Sequence, residues 1–285
     1  MPVTDTPLRY PGGKSQLTPF VAELLRENDL FYGAYAEPFA GGAGIAVKLL
    51  LEDYISEVYL DDFDAAIYAL WHSILKFTDE LCELIQNTDV TITEWHRQRE
   101  IYFNFSQARI VEKGFATLFL NRTNRSGIIK AGVIGGLDQA GAYALDCRFN
   151  KTDLIRKIQR IASRREKIHL TCLDAVEFLA KVVPTTSKNT LVNLDPPYFN
   201  KGPELYANFY KHADHAALAK MVSKLKRRWM VTYDDTPEIR ALYSQFPTYC
   251  TNLNYSAQVK RIGTELLVLD PKLLAPTSIQ SLRAA

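Results

Sequence analysis

The clearest structural signal in the sequence is a tetrapeptide that follows a short apolar run, Asp195-Pro196-Pro197-Tyr198. The run, residues 190–194, is typical of a strand that is buried on both faces of a parallel sheet. Two consecutive prolines remove two backbone donors and restrict the geometry of the chain. We therefore expect a stiff loop at the end of a central strand, presenting a carboxylate, a carbonyl and an aromatic ring.

Short strands and amphipathic helices alternate on both sides of this loop. Strands are predicted over residues 57–60, 168–172, 190–194, 229–233, 248–256 and 264–269. Helices are predicted over residues 17–25, 43–51, 66–74, 154–161, 174–182 and 218–225, and another begins at Thr236. The alternation predicts an α/β fold with a mostly parallel, doubly wound, Rossmann-like sheet that is covered on both faces. Because ligands bind beyond the carboxyl ends of such strands, we expect Asp62, Asp174 and Asp195 near one edge of the sheet.

The middle of the chain, residues 76–150, has a different pattern. It contains helical pieces such as residues 114–120, and then a glycine-rich stretch, residues 127–141, that lacks hydrophobic periodicity. Such a stretch favours an inserted region with loops over a sheet core. The sequence therefore predicts one domain made of residues 1–75 and 151–285, interrupted by an inserted, mostly helical domain over residues 76–150.

Composition narrows the class of protein. The chain has 285 residues, of which 47% are hydrophobic and 23% are charged, so we expect a sizeable core and little disorder. No apolar run reaches the roughly 20 residues of a membrane helix, and the first 14 residues lack the apolar core of a signal peptide. We expect a cytoplasmic protein without a membrane partner. The net charge of +2 permits nucleic-acid binding but does not argue for it.

The cysteines and histidines show no spacing that would indicate a metal site. The four cysteines lie far apart, and the five histidines form no pattern of metal ligands. We expect no bound metal, and reduced thiols that are mostly buried.

The tetrapeptide carries groups that suit an aromatic amine as substrate. The nitrogen of such an amine is a weak nucleophile, because its lone pair is delocalised into the ring. Acceptors on its two hydrogens help to return the lone pair to nitrogen, and the Asp195 carboxylate and the Pro196 carbonyl are two such acceptors. Tyr198 could stack on the plane of a base, which is worth about 1–3 kcal/mol per base, and a duplex base must leave the helix to reach such a pocket. The alternative is an ordinary turn with a buried tyrosine.

Two acidic motifs precede the tetrapeptide. In residues 37–44, Glu-Pro-Phe-Ala-Gly-Gly-Ala-Gly, the glycines let the backbone approach a ligand and Glu37 could hold an ammonium or hydroxyl group. The alternative is an ordinary turn from a strand to a helix. The pair Asp61-Asp62 ends the next strand, where an acid can bind the ribose hydroxyls of an adenosyl group. Asp62 could instead cap the following helix.

Two further segments are ambiguous by themselves. In residues 9–14, Arg-Tyr-Pro-Gly-Gly-Lys, Lys14 could pair with a carboxylate and Tyr10 could pack on a ring, although a surface turn is the simpler explanation. Asp174 follows its strand as Asp62 does. Its carboxylate could accept a hydrogen bond from the adenine amine of a cofactor, or it could cap the next helix.

In their order along the chain, these motifs resemble the Dam-type, or D12 class, family of DNA adenine-N6 methyltransferases. The resemblance spans residues 8–269 and rests on the tetrapeptide, on Asp62 and on residues 10–14, 37–41, 119–122, 126–127 and 264–267. Ala43 stands where the family often has a second glycine, and the segment 123–126 is not a common family version. The resemblance therefore implies the reaction but not the recognised DNA sequence.

The resemblance implies a site-specific enzyme that transfers a methyl group from S-adenosylmethionine to the N6 amine of adenine in duplex DNA, with base flipping. It also implies that the inserted domain recognises the DNA target. The catalytic residues by this resemblance are Asp195, Pro196 and Tyr198. The residues implied for cofactor binding are Tyr10, Lys14, Glu37, Gly41, Asp62, Asp174 and Asp195.

The inserted domain holds the candidates for DNA binding, namely Asn121, Arg122, Asn124, Arg125 and Lys130. Asn and Arg side chains read base edges, and Arg and Lys side chains also hold phosphates. For Asn121 and Arg122 a structural role, hydrogen-bonding the loop that follows, is an equal alternative.

Two other functions stay open from the sequence. The tetrapeptide also resembles families that use the same donor to methylate RNA bases or protein amides, although those families usually lack the segment 10–14 and the Asn-Arg pair. A non-catalytic DNA-binding relative is the second, and the intact Lys14, Asp195 and Tyr198 argue against it. A cognate restriction endonuclease could accompany the enzyme.

Overall fold

The chain forms two compact units. The computed structural model describes residues 4–9, 14–199, 210–255 and 261–276. The helical unit consists of Met1–Gly13 with Asp64–Glu166, and the sheet unit consists of Lys14–Phe63 with Lys167–Ala285. The polypeptide therefore passes between the units three times, and Lys14 is the first residue of the sheet unit.

The sheet unit is built on a seven-stranded mixed sheet. Its strands are β1 (Ala34–Glu37), β2 (Glu57–Asp61), β3 (Ile168–Thr171), β4 (Thr190–Leu194), β5 (Arg228–Asp234), β6 (Thr248–Tyr255) and β7 (Arg261–Leu269). They are ordered β3-β2-β1-β4-β5-β7-β6. The pairs from β3 to β5 are parallel, whereas β7 runs antiparallel to β5 and β6. Strands β2 and β3 lie on one side of β1, and the strands from β4 onward lie on the other side. Open α/β sheets bind ligands at such a switch point, here between β1 and β4.

The central strands are covered on both faces. Every residue of β1 and of β4 is buried, and consecutive residues of a strand point to opposite faces. One face packs in a core of Ala36, Val192 and Val231 from the sheet with Phe178 and Leu218 from helices. The predicted α/β fold with a doubly wound sheet is confirmed.

Five helices belong to the sheet unit in the described residues. They are α1 (Thr18–Glu27), α2 (Gly44–Leu51), α8 (Ala175–Lys181), α9 (His212–Val222) and α10 (Pro237–Leu242). The Asp174 carboxylate caps α8 by accepting a hydrogen bond from the backbone N–H of Val176, and Thr236 caps α10 in the same way from Ile239. The helix start predicted at Thr236 is thus confirmed.

Five helices also form the described part of the helical unit. They are α3 (Ala65–Lys76), α4 (Thr78–Asn87), α5 (Ile92–Phe103), α6 (Ile110–Thr123) and α7 (Lys151–Ala162). Gly114 lets α6 approach α3 closely, because a Cβ atom at this position would lie 2.8 Å from the Ala69 carbonyl oxygen. The Ser73 hydroxyl of α3 also donates to the carbonyl of Ile110 at 3.3 Å.

The limits of the units differ from the predicted domain limits at residues 76 and 150. Helices α3 and α7 belong to the helical unit, although their apolar stripes resemble those of helices that pack on a sheet. The ammonium of Lys151, at the start of α7, donates to the Gln86 carbonyl at the end of α4 at 2.8 Å. Within the helical unit, α3 packs mainly on α6 and α7 packs mainly on α4.

Three expectations about special features can be compared with the structure. Among the described residues, no helix has both the length and the apolar character required to cross a bilayer, and no group of three or more His, Cys, Asp or Glu could hold a metal ion. The expectation of mostly buried thiols is wrong, because Cys147 and Cys172 are exposed and only Cys82 of the four is buried.

Candidate active site

Asp195 lies at the carboxyl end of β4, and one of its oxygens is held by two donors. Asp195 Oδ1 accepts a hydrogen bond from Lys14 Nζ at 2.9 Å and another from Thr232 Oγ1 on the adjacent strand β5 at 2.8 Å. The side chain of Asp195 is 27% exposed, whereas that of Lys14 is 3% exposed. Within the described part of the chain Oδ2 receives no hydrogen bond, so this carboxylate has a fixed side and an accessible side.

Tyr198 joins the same cluster through its hydroxyl group. The hydroxyl accepts from Lys14 Nζ at 3.1 Å and donates to Glu265 Oε1 on β7 at 2.8 Å. Lys14 Nζ also lies 4.8 Å from the centre of the Tyr198 ring and 3.5 Å from Glu265 Oε2. The structure thus brings together Lys14, Asp195 and Tyr198, which the sequence predicted, with Thr232 and Glu265, which it did not.

The backbone after the tetrapeptide is also anchored. The Phe199 N–H donates to the Asp234 carboxylate at the end of β5 at 2.9 Å, and the Pro196 side chain is buried. The loop is therefore fixed at both ends, as the two prolines led us to expect.

A buried acid lies next to this cluster, at the end of β1. Glu37 Oε1 accepts hydrogen bonds from the Tyr35 hydroxyl at 3.1 Å and from the Asn193 amide at 3.3 Å. Burial raises the pKa of Glu37 to about 8, an effect to which the charge of Asp195 adds. Glu37 is therefore mainly protonated at neutral pH. Its predicted part in cofactor binding stays a prediction.

The glycine-rich turn folds over the end of β2. Gly41 has a positive φ of 45° and donates its N–H to Asp62 Oδ2 at 2.7 Å, while the Ala40 N–H donates to the Asp61 carbonyl at 2.9 Å. A side chain at Gly41 would be strained in this left-handed conformation. The two motifs that the sequence offered as a cofactor site are therefore in direct contact.

Asp61 ties the end of β2 to the loop that carries Asp174. Asp61 Oδ1 accepts from Thr171 Oγ1 at 2.6 Å and from the Leu173 N–H at 2.9 Å. Its second oxygen is buried and has no hydrogen-bond partner among the described residues. Burial raises the pKa of Asp61 to about 6. From the sequence, Asp61 was considered only as the neighbour of Asp62. Its position at the end of the predicted strand was the only signal that it could bind the loop before Asp174.

Two aromatic residues near the strand ends were also missed. Phe63, which directly follows Asp62, is 61% exposed, an unusual position for a large apolar ring. Phe39, in the glycine-rich turn, packs edge-on against Tyr210 with ring centroids 5.7 Å apart. Tyr10, the remaining cofactor candidate, lies outside the described residues.

In the helical unit, Asn121 and Arg122 hold the segment near the amino terminus. The Asn121 amide accepts from the Arg9 N–H and donates to the Arg9 carbonyl, both at 2.8 Å, and also donates to the Gly127 carbonyl at 2.8 Å. Arg122 Nε donates to the Pro7 carbonyl at 2.6 Å. Burial lowers the pKa of Arg122 to about 10. Of the two roles predicted for this pair, these contacts support the structural one.

Asn124 is buried as well. Its side-chain oxygen accepts from Trp95 Nε1 at 2.6 Å, and its amide nitrogen donates to the Ile129 carbonyl at 2.7 Å. It thereby fixes the start of the glycine-rich segment, where Asn124 and Val133 form an isolated bridge.

Arg125 and Lys130, by contrast, are exposed. Arg125 borders a recess of about 370 Å³, whose lining residues are Trp95, His96, Arg99, Arg125, Gly132, Val133, Gly136 and Leu137. The guanidinium of Arg99 lies 5.1 Å from the centre of the Trp95 ring. The recess therefore offers two guanidinium groups, and no carboxylate belongs to its lining.

Comparison with known proteins gives this arrangement a context. A family model for D12 class N6 adenine-specific DNA methyltransferases matches residues 10–258. The chain belongs to this family. The match confirms the resemblance that the order of the motifs indicated, and it includes Lys14, Asp62 and the tetrapeptide from Asp195 to Tyr198.

The chain was also compared with curated protein sequences and with solved structures. No curated protein sequence matched the chain. Among solved structures, the D12 class chain is similar to a candidate RNA methyltransferase from Pyrococcus horikoshii, with 13% sequence identity, a TM-score of 0.44, and coverage of 94% of this chain and 87% of that chain.

The residues at the strand ends fit the methyl donor that methyltransferases generally use, S-adenosylmethionine. That molecule carries a sulfonium, an ammonium, two ribose hydroxyls and an adenine amine, so it needs acceptors and negative charge. Asp62 and Asp174 supply carboxylates at neighbouring strand ends, and Asp61 supplies a buried oxygen with no partner among the described residues. A site of this composition suits a cationic donor and would repel a phosphate-bearing nucleotide.

Proposed function

We propose that this protein transfers the methyl group of S-adenosylmethionine to the N6 amine of adenine in duplex DNA, after the base has left the helix. Membership of the D12 class supports the reaction. The observation that carries the proposal is the arrangement of Asp195, with Oδ1 held by Lys14 and Thr232 and the side of Oδ2 accessible.

The accessible oxygen of Asp195 accepts one hydrogen of the target amine, and the Pro196 carbonyl accepts the other. These two bonds localise the lone pair on nitrogen and stabilise the positive charge that develops there. Because Lys14 and Thr232 fix the first oxygen, the carboxylate cannot rotate away from the amine. The proton that the nitrogen loses passes to a carboxylate or to water.

The chain's own residues would hold the donor at the strand ends. When bound, S-adenosylmethionine supplies an electrophilic methyl carbon on its sulfonium. Asp62 lies where an acid binds ribose hydroxyls, and the exposed ring of Phe63 beside it suits stacking on the adenine. Asp174 remains exposed while it caps α8, so its carboxylate can also accept from the adenine amine.

DNA binding falls to the exposed basic residues of the helical unit. Arg125 and Lys130 are accessible, and Arg99 adds a second guanidinium beside Arg125. Guanidinium groups hold phosphates in a bidentate manner. The buried Asn121, Arg122 and Asn124 support this surface from below.

The proposal is tested by replacing the carboxylate. Asp195→Ala should reduce methyl transfer to duplex DNA by at least a thousandfold. The amine loses a hydrogen-bond acceptor that acts in the transition state (about 10²–10³ for one such group), and Lys14 loses one of its partners. The measurement is incorporation of labelled methyl into adenine, read by nucleoside analysis. Asp79→Ala, at an exposed position in α4, is the matched control and should keep full activity.

The same assay separates the alternatives. Wild-type protein is offered duplex DNA, RNA and protein with labelled donor. Transfer to RNA or to protein amides in preference to DNA, or full activity of Asp195→Ala, would refute the proposal. Binding of the donor without transfer to any substrate would identify a non-catalytic relative.

A further inference from the structure

Glu265 is a buried acid inside an apolar strand. It lies on β7 between Thr264 and the apolar residues 266–269, and it is 2% exposed. In the sheet its backbone pairs with Asp234 of β5 and with Thr251 of β6. A carboxylate in this position is costly unless it is paired, so its partners indicate why the strand carries it.

Both oxygens of Glu265 face the tetrapeptide cluster. Oε1 accepts the Tyr198 hydroxyl proton at 2.8 Å, and Oε2 lies 3.5 Å from Lys14 Nζ. The same ammonium lies 2.9 Å from Asp195 Oδ1. One buried cation is therefore shared between two carboxylates, and a phenol hydroxyl connects the cation to the second of them.

This sharing has an electrostatic consequence for Asp195. If Lys14 served Asp195 alone, the pair would be neutral, and the accessible oxygen would be a weaker acceptor for the target amine. Because Glu265 Oε2 also lies 3.5 Å from the ammonium, Asp195 does not have the field of Lys14 to itself. The same contacts hold the ammonium in place between the two carboxyl groups and the Tyr198 hydroxyl.

Glu265 also restrains the ring of Tyr198. A hydroxyl that donates to a charged acceptor forms one of the stronger hydrogen bonds in proteins. Because this bond holds the far end of the ring, the side chain cannot swing about its first torsion. The ring is thereby kept beside Asp195.

We propose that Glu265 is a positioning residue of the active site, which acts through the Tyr198 hydroxyl and through Lys14 to hold the tyrosine ring and the ammonium in place beside Asp195. This inference rests on the proposed methyl transfer. Glu265 itself does not touch the substrate in this scheme, so its effect appears in the rate of the chemical step and not in binding.

The test is a double-mutant cycle on the full-length protein with Glu265→Gln, Tyr198→Phe and the double variant. Each single change should lower kcat about tenfold or more, since each removes a charge-assisted hydrogen bond, while KM for the donor and for DNA changes less than threefold. The double variant should lose no more than the worse single variant, because both changes break the same bond. Glu238→Gln, exposed in the first turn of α10, is the control and should behave as wild type.

Other outcomes overturn the proposal. Multiplicative losses in the double variant would mean that the two side chains act independently. A wild-type kcat for Glu265→Gln would mean that the acid has no part in the chemistry. A rise in KM with kcat unchanged, together with a lower Tm, would assign Glu265 a purely structural role.

Two controls keep the inference separate from the proposed function. If wild-type protein fails to methylate DNA, the proposed function fails; if wild type is active and the cycle shows no coupling, only the role of Glu265 fails. Should Glu265→Gln not fold, Tyr198→Phe alone still decides, because it removes a single oxygen atom and an unchanged kcat would contradict the scheme.

Discussion

At the scale of single residues, burial determines which carboxyl groups carry a charge. Glu37 and Asp61 lie at adjacent strand ends, and burial raises the pKa of Glu37 to about 8 and that of Asp61 to about 6. Both pKa values lie above those of the unfolded chain. The folded protein therefore holds more protons than the unfolded chain between about pH 4.5 and pH 8, and its free energy of unfolding falls as the pH rises through this range.

Glu37→Gln should remove most of that dependence. The amide keeps the shape of the protonated acid and still accepts from Tyr35 and Asn193. At pH 5 the variant should resemble wild type, whereas at pH 8 it should be more stable by roughly 3–4 kcal/mol, because wild type must then bury a charge or take up a proton and one pKa unit corresponds to about 1.4 kcal/mol.

Thermal unfolding at pH 5, 6.5 and 8 checks this prediction. Asp29→Asn, on an exposed turn of the same unit, controls for the loss of an acid. An equal loss of stability at every pH would show that Glu37 is ionised in the folded protein.

The residues of the site were only partly predictable from the sequence. Lys14, Asp195 and Tyr198 belong to short motifs whose residue types indicate a functional site. Thr232 and Glu265 come from ordinary strands, and only the register of β5 and β7 brings them to the cluster. Two signals were available for Glu265: it lies in the segment 264–267 on which the resemblance rests, and it is a charged residue directly before the apolar run 266–269, where such residues are rarely buried without a partner.

At the scale of elements, Gly114 determines how closely two helices of the helical unit can pack. Gly114→Ala would place a Cβ atom 2.8 Å from the Ala69 carbonyl oxygen and against the Ser73 hydroxyl. Backbone cannot yield as a side chain can, so α3 and α6 must separate. We expect a loss of about 1–3 kcal/mol in the free energy of unfolding, measured by denaturant titration.

A second variant identifies the cause of that loss. Gly114→Ala combined with Ser73→Ala removes the clash with the hydroxyl but leaves the clash with the Ala69 carbonyl. The double variant should therefore recover only part of the lost stability. A Gly114→Ala protein as stable as wild type would contradict the close packing of these helices, since alanine favours helices over glycine by about 1 kcal/mol.

Most strands were predicted from the sequence, because a short apolar run between turn residues is too short for a typical helix and therefore indicates a buried strand. Strand β1 was not predicted, since Ala34–Glu37 has four residues and no β-branched side chain. Helix α5 was not predicted either, because it buries only Trp95 and Gln98 and thus lacks an apolar stripe. The strands that pair with β1 are distant in sequence, whereas α5 packs mainly on the next helix, α6.

At the scale of the whole molecule, the net charge of +2 is too small to attract DNA by itself. The proposed affinity for DNA must then come from local clusters, and we propose Arg99 with Arg125 as one of them. Replacing both with Gln should weaken DNA binding and reduce the slope of log K against log salt by about 1 for each phosphate contact that is lost.

Arg97→Gln is the matched control for this prediction. Arg97 lies on the same helix α5 but is 68% exposed and pairs with Glu94. Fluorescence anisotropy over a range of salt concentrations measures the slope, and calorimetry checks that donor binding is unchanged. Equal effects of the control and of the double variant would mean that the recess has no special part in binding DNA.

The clamp of Asn121 and Arg122 on Arg9 and Pro7 has a consequence for exchanging specificity between relatives. The helical unit is assembled from two separate pieces of chain, and its first piece ends immediately before Lys14. In a chimera that takes only residues 64–166 from a relative, the relative's counterparts of Asn121 and Arg122 would have to bind the host's residues at positions 7 and 9. If the helical unit reads the DNA target, as proposed, a transplant of target preference must carry both pieces, because the segment that Asn121 and Arg122 hold lies before Lys14.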